Sequence, residues 1–220
     1  GSVLSEILKL EYDVIGYDAG YFKDCNLCKT NDLEKQINKD IRNITYNDLE
    51  NIDVVIHLAA LSNDPLGDLN NNLTKEINYE ATKKLAEVAK KKNVKRFIYV
   101  SSQSMYGISN ASNELDEINS EKKPVTEYAK TKWDAEVYLN SIKINEFTVV
   151  SFRPSTVFGA SPRLRCDIVF NNLMACAYTS KKIEIKSDGT PWRPVIHIRD
   201  VASAIIAGIK APKELVNGKS

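Results

Sequence analysis

The chain has 220 residues, with 30 Lys and Arg against 29 Asp and Glu and 43% hydrophobic residues. That length suits one large α/β domain, or one domain with part of a second. The balanced charge argues against a surface built for a nucleic-acid backbone, and no apolar run reaches the ~18–20 residues of a membrane span.

The first eight residues, Gly1-Ser2-Val3-Leu4-Ser5-Glu6-Ile7-Leu8, read as a helix. The run Asp13-Val14-Ile15-Gly16-Tyr17-Asp18 reads as a strand that ends in an acid. Cys25-x-x-Cys28 follows, without a second such pair, and the histidines His57 and His197 lack ligand spacing, so no metal site is expected. No signal peptide is visible, and a cytoplasmic protein with reduced thiols is expected. A second strand is predicted over Asp53-Val54-Val55-Ile56-His57-Leu58. From Thr74 to Lys92, Ile77, Ala81, Leu85, Val88 and Ala89 recur at steps of three and four, which predicts a helix whose basic end complements its dipole. Arg96-Phe97-Ile98-Tyr99-Val100 is a third strand, the polar stretch 108–123 a surface excursion, and about Thr126 to Ile144 a second long helix behind Pro124. Phe147-Thr148-Val149-Val150-Ser151-Phe152 is the fourth strand. Near-continuous apolar strands alternating with helices predict βαβ units and a doubly wound, parallel, Rossmann-type sheet. The expected division is a dinucleotide-binding domain over 1–158 and part of a smaller carboxyl-terminal substrate-binding region over 159–220.

Such a fold should open with a strand and a glycine-rich turn before its first helix. Here the helix comes first, so the chain reads as an internal segment lacking strand one and most of that turn. Gly1 is either the last glycine of the turn or half of a Gly-Ser expression scar. In the strand order 3-2-1-4-5-6 the strands around Val14 and Val55 would then flank a slot of roughly 9.6 Å, two strand spacings. This segment alone is expected neither to fold stably nor to bind a dinucleotide usefully.

The chemistry centres on Tyr128-Ala129-Lys130-Thr131-Lys132. On a helix Tyr128 and Lys132 share a face, and an ammonium beside a phenol favours the phenolate, as a general base near neutral pH requires. A solvated lysine beside a half-buried tyrosine has the same spacing. Asp18 ends a strand where an acid can accept the hydroxyls of an adenosine ribose, which favours NAD over NADP; a surface turn would also hold an aspartate. Asp40-Ile41-Arg42 reads as part of an adenine pocket or as a plain loop. Leu58-Ala59-Ala60 and the stretch Ser101 to Gly107 follow strands at their carboxyl ends, where ligands approach.

With these marks in order, the chain resembles the extended short-chain dehydrogenases/reductases that act on nucleotide sugars, over nearly its whole length. The residues that carry the likeness are Val14 to Asp18, Asp40-Ile41-Arg42, His57-Leu58-Ala59-Ala60, Asn78-Tyr79-Glu80-Ala81-Thr82 and Ser101 to Gly107. They continue with Tyr128 to Lys132, Arg153 to Gly159, Asp188 to Arg193 and His197-Ile198-Arg199-Asp200-Val201-Ala202. The resemblance implies Tyr128 as catalytic base and acid, Lys132 on the nicotinamide ribose, and Ser102 on the reacting hydroxyl. It implies an NAD site of Gly1, Asp18, Asp40, Ile41, Leu58, Ala59, Ala60 and Asn78 with Tyr128 and Lys132. For the sugar nucleotide it implies Ser102, Ser104, Thr156 and Arg193, with Arg163 or Arg165 meeting phosphate. The 4,6-dehydratases of the family carry Asp-Glu directly after the catalytic threonine, whereas this chain has Gln103 and Ser104, and the usual asparagine of the Arg-x-x-Asn stretch is Thr156. An amide and a hydroxyl are poor substitutes for the acid and base that eliminate water. The implied function is therefore NAD-dependent epimerisation of a nucleotide sugar, at C4, in carbohydrate biosynthesis, by a homodimer. A one-way dehydrogenase or ketoreductase is the alternative within the fold, and a non-catalytic dinucleotide sensor or scaffold the alternative outside catalysis.

Overall fold

The computed structural model describes residues 1–29, 33–62, 64–108, 114–188, 190 and 194–220, with backbone alone for 64–66. In chain order the helices are α1 (Ser2–Leu8), α2 (Asp64–Leu69), α3 (Asn71–Lys75), α4 (Ala81–Lys91), α5 (Glu127–Ile142), α6 (Val169–Ser180), α7 (Ile198–Lys210) and α8 (Lys213–Val216). The strands are β1 (Ile15–Asp18), β2 (Lys35–Asn38), β3 (Val54–His57), β4 (Arg96–Val100), β5 (Thr148–Phe152), β6 (Thr156–Phe158) and β7 (Val195–His197). They form three ladders: β1 with β2, β3-β4-β5, and β6 with β7. The described residues place no ladder between β1 and β3.

The chain divides into two compact units, one of residues 17–19, 38–153 and 207–220, the other of 1–16, 20–37 and 154–206. In the first, β3, β4 and β5 run parallel, with Val55 opposite Phe97 and Phe97 opposite Val149. This is the doubly wound arrangement that the alternation of strands and helices predicts. One face of β4 carries Phe97 and Tyr99, both fully buried, into a core shared with Leu85, Ala86 and Ala89 of α4 and Ala135 and Leu139 of α5. Each large apolar side chain buried there contributes about 1.5–3 kcal/mol.

The predicted helix over 74–92 is not one regular helix. Residues Glu76–Glu80 form a π turn between α3 and α4. Helix α5 begins where Thr126 caps it, its hydroxyl accepting from the Ala129 N–H at 3.2 Å.

In the other unit, α1 buries Leu4 and Leu8, β6 pairs with β7 in parallel, and α6 buries none of its residues. The backbone N–H of Leu27 donates to the Pro162 carbonyl at 2.7 Å, which ties the stretch after β1 to the Ser161–Arg165 loop.

Candidate active site

Helix α5 buries Ala129, Thr131, Lys132, Ala135, Glu136 and Leu139, a helical stripe that contains two charges. A buried charge needs a partner. Glu136, with its side chain fully buried, has one: Arg153, one residue past β5, places Nη2 2.6 Å from Glu136 Oε1. Lys132 has none. It is 3% exposed, and among the described residues its ammonium makes no hydrogen bond and no ion pair. Its Nζ lies 4.3 Å from the centre of the Tyr99 ring, a cation–π contact, and the Tyr99 hydroxyl donates to the Lys132 carbonyl at 3.4 Å. Burial pulls the Lys132 pKa down from 10.5 to about 7, against the opposing charge of Glu136.

Tyr128 stands one turn before Lys132 and is half-buried. Gly67 of α2 backs onto it: a Cβ on that glycine would sit 3.6 Å from the Tyr128 Cβ. The Tyr99 hydroxyl is raised well above 10, by burial first and then by the charges of Tyr128 and Glu136, so the two phenols and the two α5 charges form one electrostatic group.

Ser102 follows β4 and opens a 3-10 turn over Gln103–Tyr106. Its Oγ accepts from the Ser104 N–H at 3.1 Å and lies 3.1 Å from the Ser104 Oγ. The turn ends at Gly107, with φ of +71°, where a Cβ would come 2.1 Å from the Lys123 carbonyl oxygen, so only glycine fits.

The loop after β3 is held by Asn78. This residue is 1% exposed, accepts from the Leu61 N–H at 2.8 Å and donates to the Leu61 carbonyl at 3.1 Å. Leu58 and Ala59 are left exposed and Ala60 half-buried, so a ligand can reach this backbone. His57, at the end of β3, is fully buried and stacks on Tyr99 at 5.9 Å. Its Nε2 lies 2.8 Å from the Thr82 hydroxyl, whose own hydrogen goes to the Asn78 carbonyl at 2.8 Å. Nε2 therefore carries the proton of a neutral imidazole. Burial, with the charge of Lys132, drives the His57 pKa from 6.5 to about 3. Below pH 6.5 the unfolded chain takes a proton that the folded one refuses, so stability falls with pH. Between pH 7 and pH 5 this loss should be about 2 kcal/mol, that is, roughly 1.5 units at 1.36 kcal/mol each. A His57→Asn variant should lose that much less over the same interval in denaturant titrations.

The remaining candidates are placed as follows. Asp18 is exposed at the end of β1. The Asp40 carboxylate accepts from the Arg42 N–H at 2.9 Å, Nε at 3.0 Å and Nη2 at 2.9 Å, and Ile41 packs against the core. Gly1 caps α1, Thr156 opens β6, and Arg165 Nε donates to Asp167 at 3.1 Å. The Arg163 guanidinium lies 3.4 Å from the Phe22 ring centre. Arg193 lies outside the described residues. The sequence reading missed Tyr99, His57 and the Arg153–Glu136 pair as parts of this site. A signal was available, because Glu136 continues the spacing of four from Tyr128 through Lys132 and so falls on the same buried face.

Residues 1–220 match the family model described as the NAD dependent epimerase/dehydratase family. The chain belongs to that family. Relatives within the epimerase/dehydratase family include the human dTDP-D-glucose 4,6-dehydratase, 31% identical over 171 residues that cover 76% of this chain and 48% of that protein. The UDP-glucuronate 4-epimerase of Thermodesulfobacterium geofontis is 30% identical, over 72% of this chain and 48% of that protein. Among solved structures, the UDP-glucuronic acid 4-epimerase from Bacillus cereus in complex with UDP-glucuronic acid and NAD superposes with a TM-score of 0.81 at 27% identity, covering all of this chain and 72% of that one. The chain spans about half the length of the curated relatives it matches.

Proposed function

We propose that the whole protein is an NAD-dependent nucleotide-sugar epimerase acting at C4, with Tyr128 as its acid and base. The observation that carries this reading is Lys132, a buried ammonium with no hydrogen-bond acceptor among the described residues, one helical turn from Tyr128. Titratable groups perturbed by burial cluster at functional sites. The hydroxyls of a nicotinamide ribose are acceptors of the kind it lacks, so the residues fit the cofactor that the family uses. Bound there, NAD supplies the acceptance and return of hydride. Lys132 holds the ribose and favours the phenolate of Tyr128. Tyr128 takes the proton from the C4 hydroxyl and returns it, while the Ser102 hydroxyl steadies the reacting oxygen. Asp18 takes the adenosine ribose, Asp40 and Ile41 lie near adenine, and Asn78 keeps the Leu58-Ala59-Ala60 loop in place for the dinucleotide.

Gln103 and Ser104 favour epimerisation over dehydration, because neither side chain supplies the acid that expels water. Turnover of UDP-glucuronic acid, UDP-glucose and dTDP-glucose, followed by sugar analysis and by absorbance of the reduced cofactor, tests this. Inversion at C4 without net cofactor reduction is expected. Stoichiometric reduction would mean a dehydrogenase, and a 4-keto-6-deoxy product a dehydratase.

Cofactor choice follows from Asp18. A 2′-phosphate and a carboxylate repel, so NAD should bind at least about tenfold more tightly than NADP, or ~1.4 kcal/mol. Equal affinities in calorimetric titrations would remove Asp18 from the cofactor site.

A further inference from the structure

Arg153 lies outside the set assigned to cofactor or substrate, yet its side chain makes five hydrogen bonds to described residues. Its Nε donates to both Glu136 oxygens, at 3.1 and 3.3 Å, and its Nη2 to Oε1 at 2.6 Å. Its Nη1 donates to the Tyr106 hydroxyl at 2.7 Å and to the Glu117 carbonyl at 2.8 Å. The guanidinium also lies 5.7 Å from the ring centres of both Tyr106 and Trp133. Its side chain is 8% exposed and that of Glu136 is 0% exposed. One rigid, five-donor fork thus joins four pieces of backbone: the end of β5, the middle of α5, the turn that Ser102 opens, and the segment around Glu117.

The position of each partner matters. Glu136 is one turn beyond Lys132, which is one turn beyond Tyr128, so the pair fixes the phase of the helix that carries both. Tyr106 closes the 3-10 turn whose first residues are Gln103 and Ser104 and whose cap is Ser102.

We infer that Arg153 is a positioning residue, which sets the distance between the Ser102 turn and the Tyr128–Lys132 face of α5 by bonding Glu136, Tyr106 and Glu117 together. Its effect on turnover rests on the epimerase reading; its effect on the turn does not. A lysine could keep charge opposite Glu136, but its single ammonium cannot span the three acceptors that the fork reaches.

The test uses the whole protein with two gentle variants, Tyr106→Phe and Arg153→Lys. Tyr106→Phe removes one hydroxyl and keeps the ring. Three quantities are measured: kcat and KM on whichever of UDP-glucuronic acid, UDP-glucose or dTDP-glucose the wild type turns over, the Kd for NAD, and amide hydrogen exchange by peptide. A misplacement of reacting groups by about 1 Å costs on the order of 100-fold, so kcat should fall roughly ten- to 100-fold in each variant while KM and the NAD Kd stay within about twofold. Exchange should rise about tenfold in peptides covering 101–107 and 115–119, with β3, β4 and α4 unchanged. Wild-type kcat in both variants would overturn the inference, and so would exchange that rises evenly across the chain, which is the mark of a general stability role. If the wild type turns over none of the three sugars, the epimerase reading fails, and the local exchange pattern still decides the role of Arg153.

Discussion

Replacing Tyr128 with Phe in the whole protein is expected to lower turnover by about 10²–10⁴-fold, the usual contribution of a general acid–base group. The loss should fall on kcat, because the ring that packs beside Gly67 is kept and only the hydroxyl goes. NAD affinity should hold, since the Lys132 ammonium and the Asn78–Leu61 pair are untouched. Steady-state kinetics with a cofactor titration separate the two effects. A Phe variant with near-wild-type kcat would remove Tyr128 from the mechanism, and one that loses NAD binding would make it a cofactor contact instead.

The second large effect concerns stability. Glu136→Ala strips the carboxylate from a guanidinium whose side chain is 8% exposed. Burial alone would lower the Arg153 pKa, but the hydrogen bonds and charge of Glu136 outweigh it and hold that pKa above its ordinary value. Without Glu136 only burial and Tyr106 act on that pKa, yet a guanidinium titrates so far above neutrality that the cation stays charged when its partner is removed. Leaving one member of a buried pair uncompensated costs about 3–5 kcal/mol, against a total stability of roughly 5–15 kcal/mol for a typical protein. Chemical denaturation should show a lower midpoint with an unchanged slope. Replacing both members with apolar residues, Glu136→Leu with Arg153→Met, should recover most of the loss. A Glu136→Ala midpoint equal to wild type would show that solvent reaches Arg153 once its partner is gone.

Much of the fold was legible because its signals are local. Strand β4 was predicted over Arg96–Val100 and is found there, since five residues rich in aromatic and β-branched types have one reading when both faces are covered. Helix α5 carries its start in Thr126, while its buried face mixes Ala129, Ala135 and Leu139 with Thr131, Lys132 and Glu136. Strand β2, Lys35–Asn38, was not legible, because three of its four residues are polar and leave no apolar run to read. The π turn was hidden for a similar reason: Ile77 and Ala81 keep a spacing of four, whatever the winding between them. In the site, Tyr128 and Lys132 could be read from their spacing. Tyr99 could not, because a tyrosine in an apolar strand looks like core until the helix opposite places an ammonium on its ring. Arg153 bonds across 17, 36 and 47 positions of sequence, separations at which no periodicity speaks.

The π turn at Glu76–Glu80 has a geometric consequence for the molecule as a mechanism with interlocking parts. A helix advances about 100° per residue, so the one extra residue in a wide turn shifts the angular phase of everything on one side of it against the other. On the far side Leu85 and Ala89 must face the core; within the turn Asn78 must face the Leu61 backbone. The wide turn lets one continuous rod meet both bearings. Length is therefore a setting in this stretch: dropping a single residue would restore a uniform screw, yet turn either the core face or the asparagine away from its seat. The rod works as a key, and its tooth is the residue that regular winding would leave out.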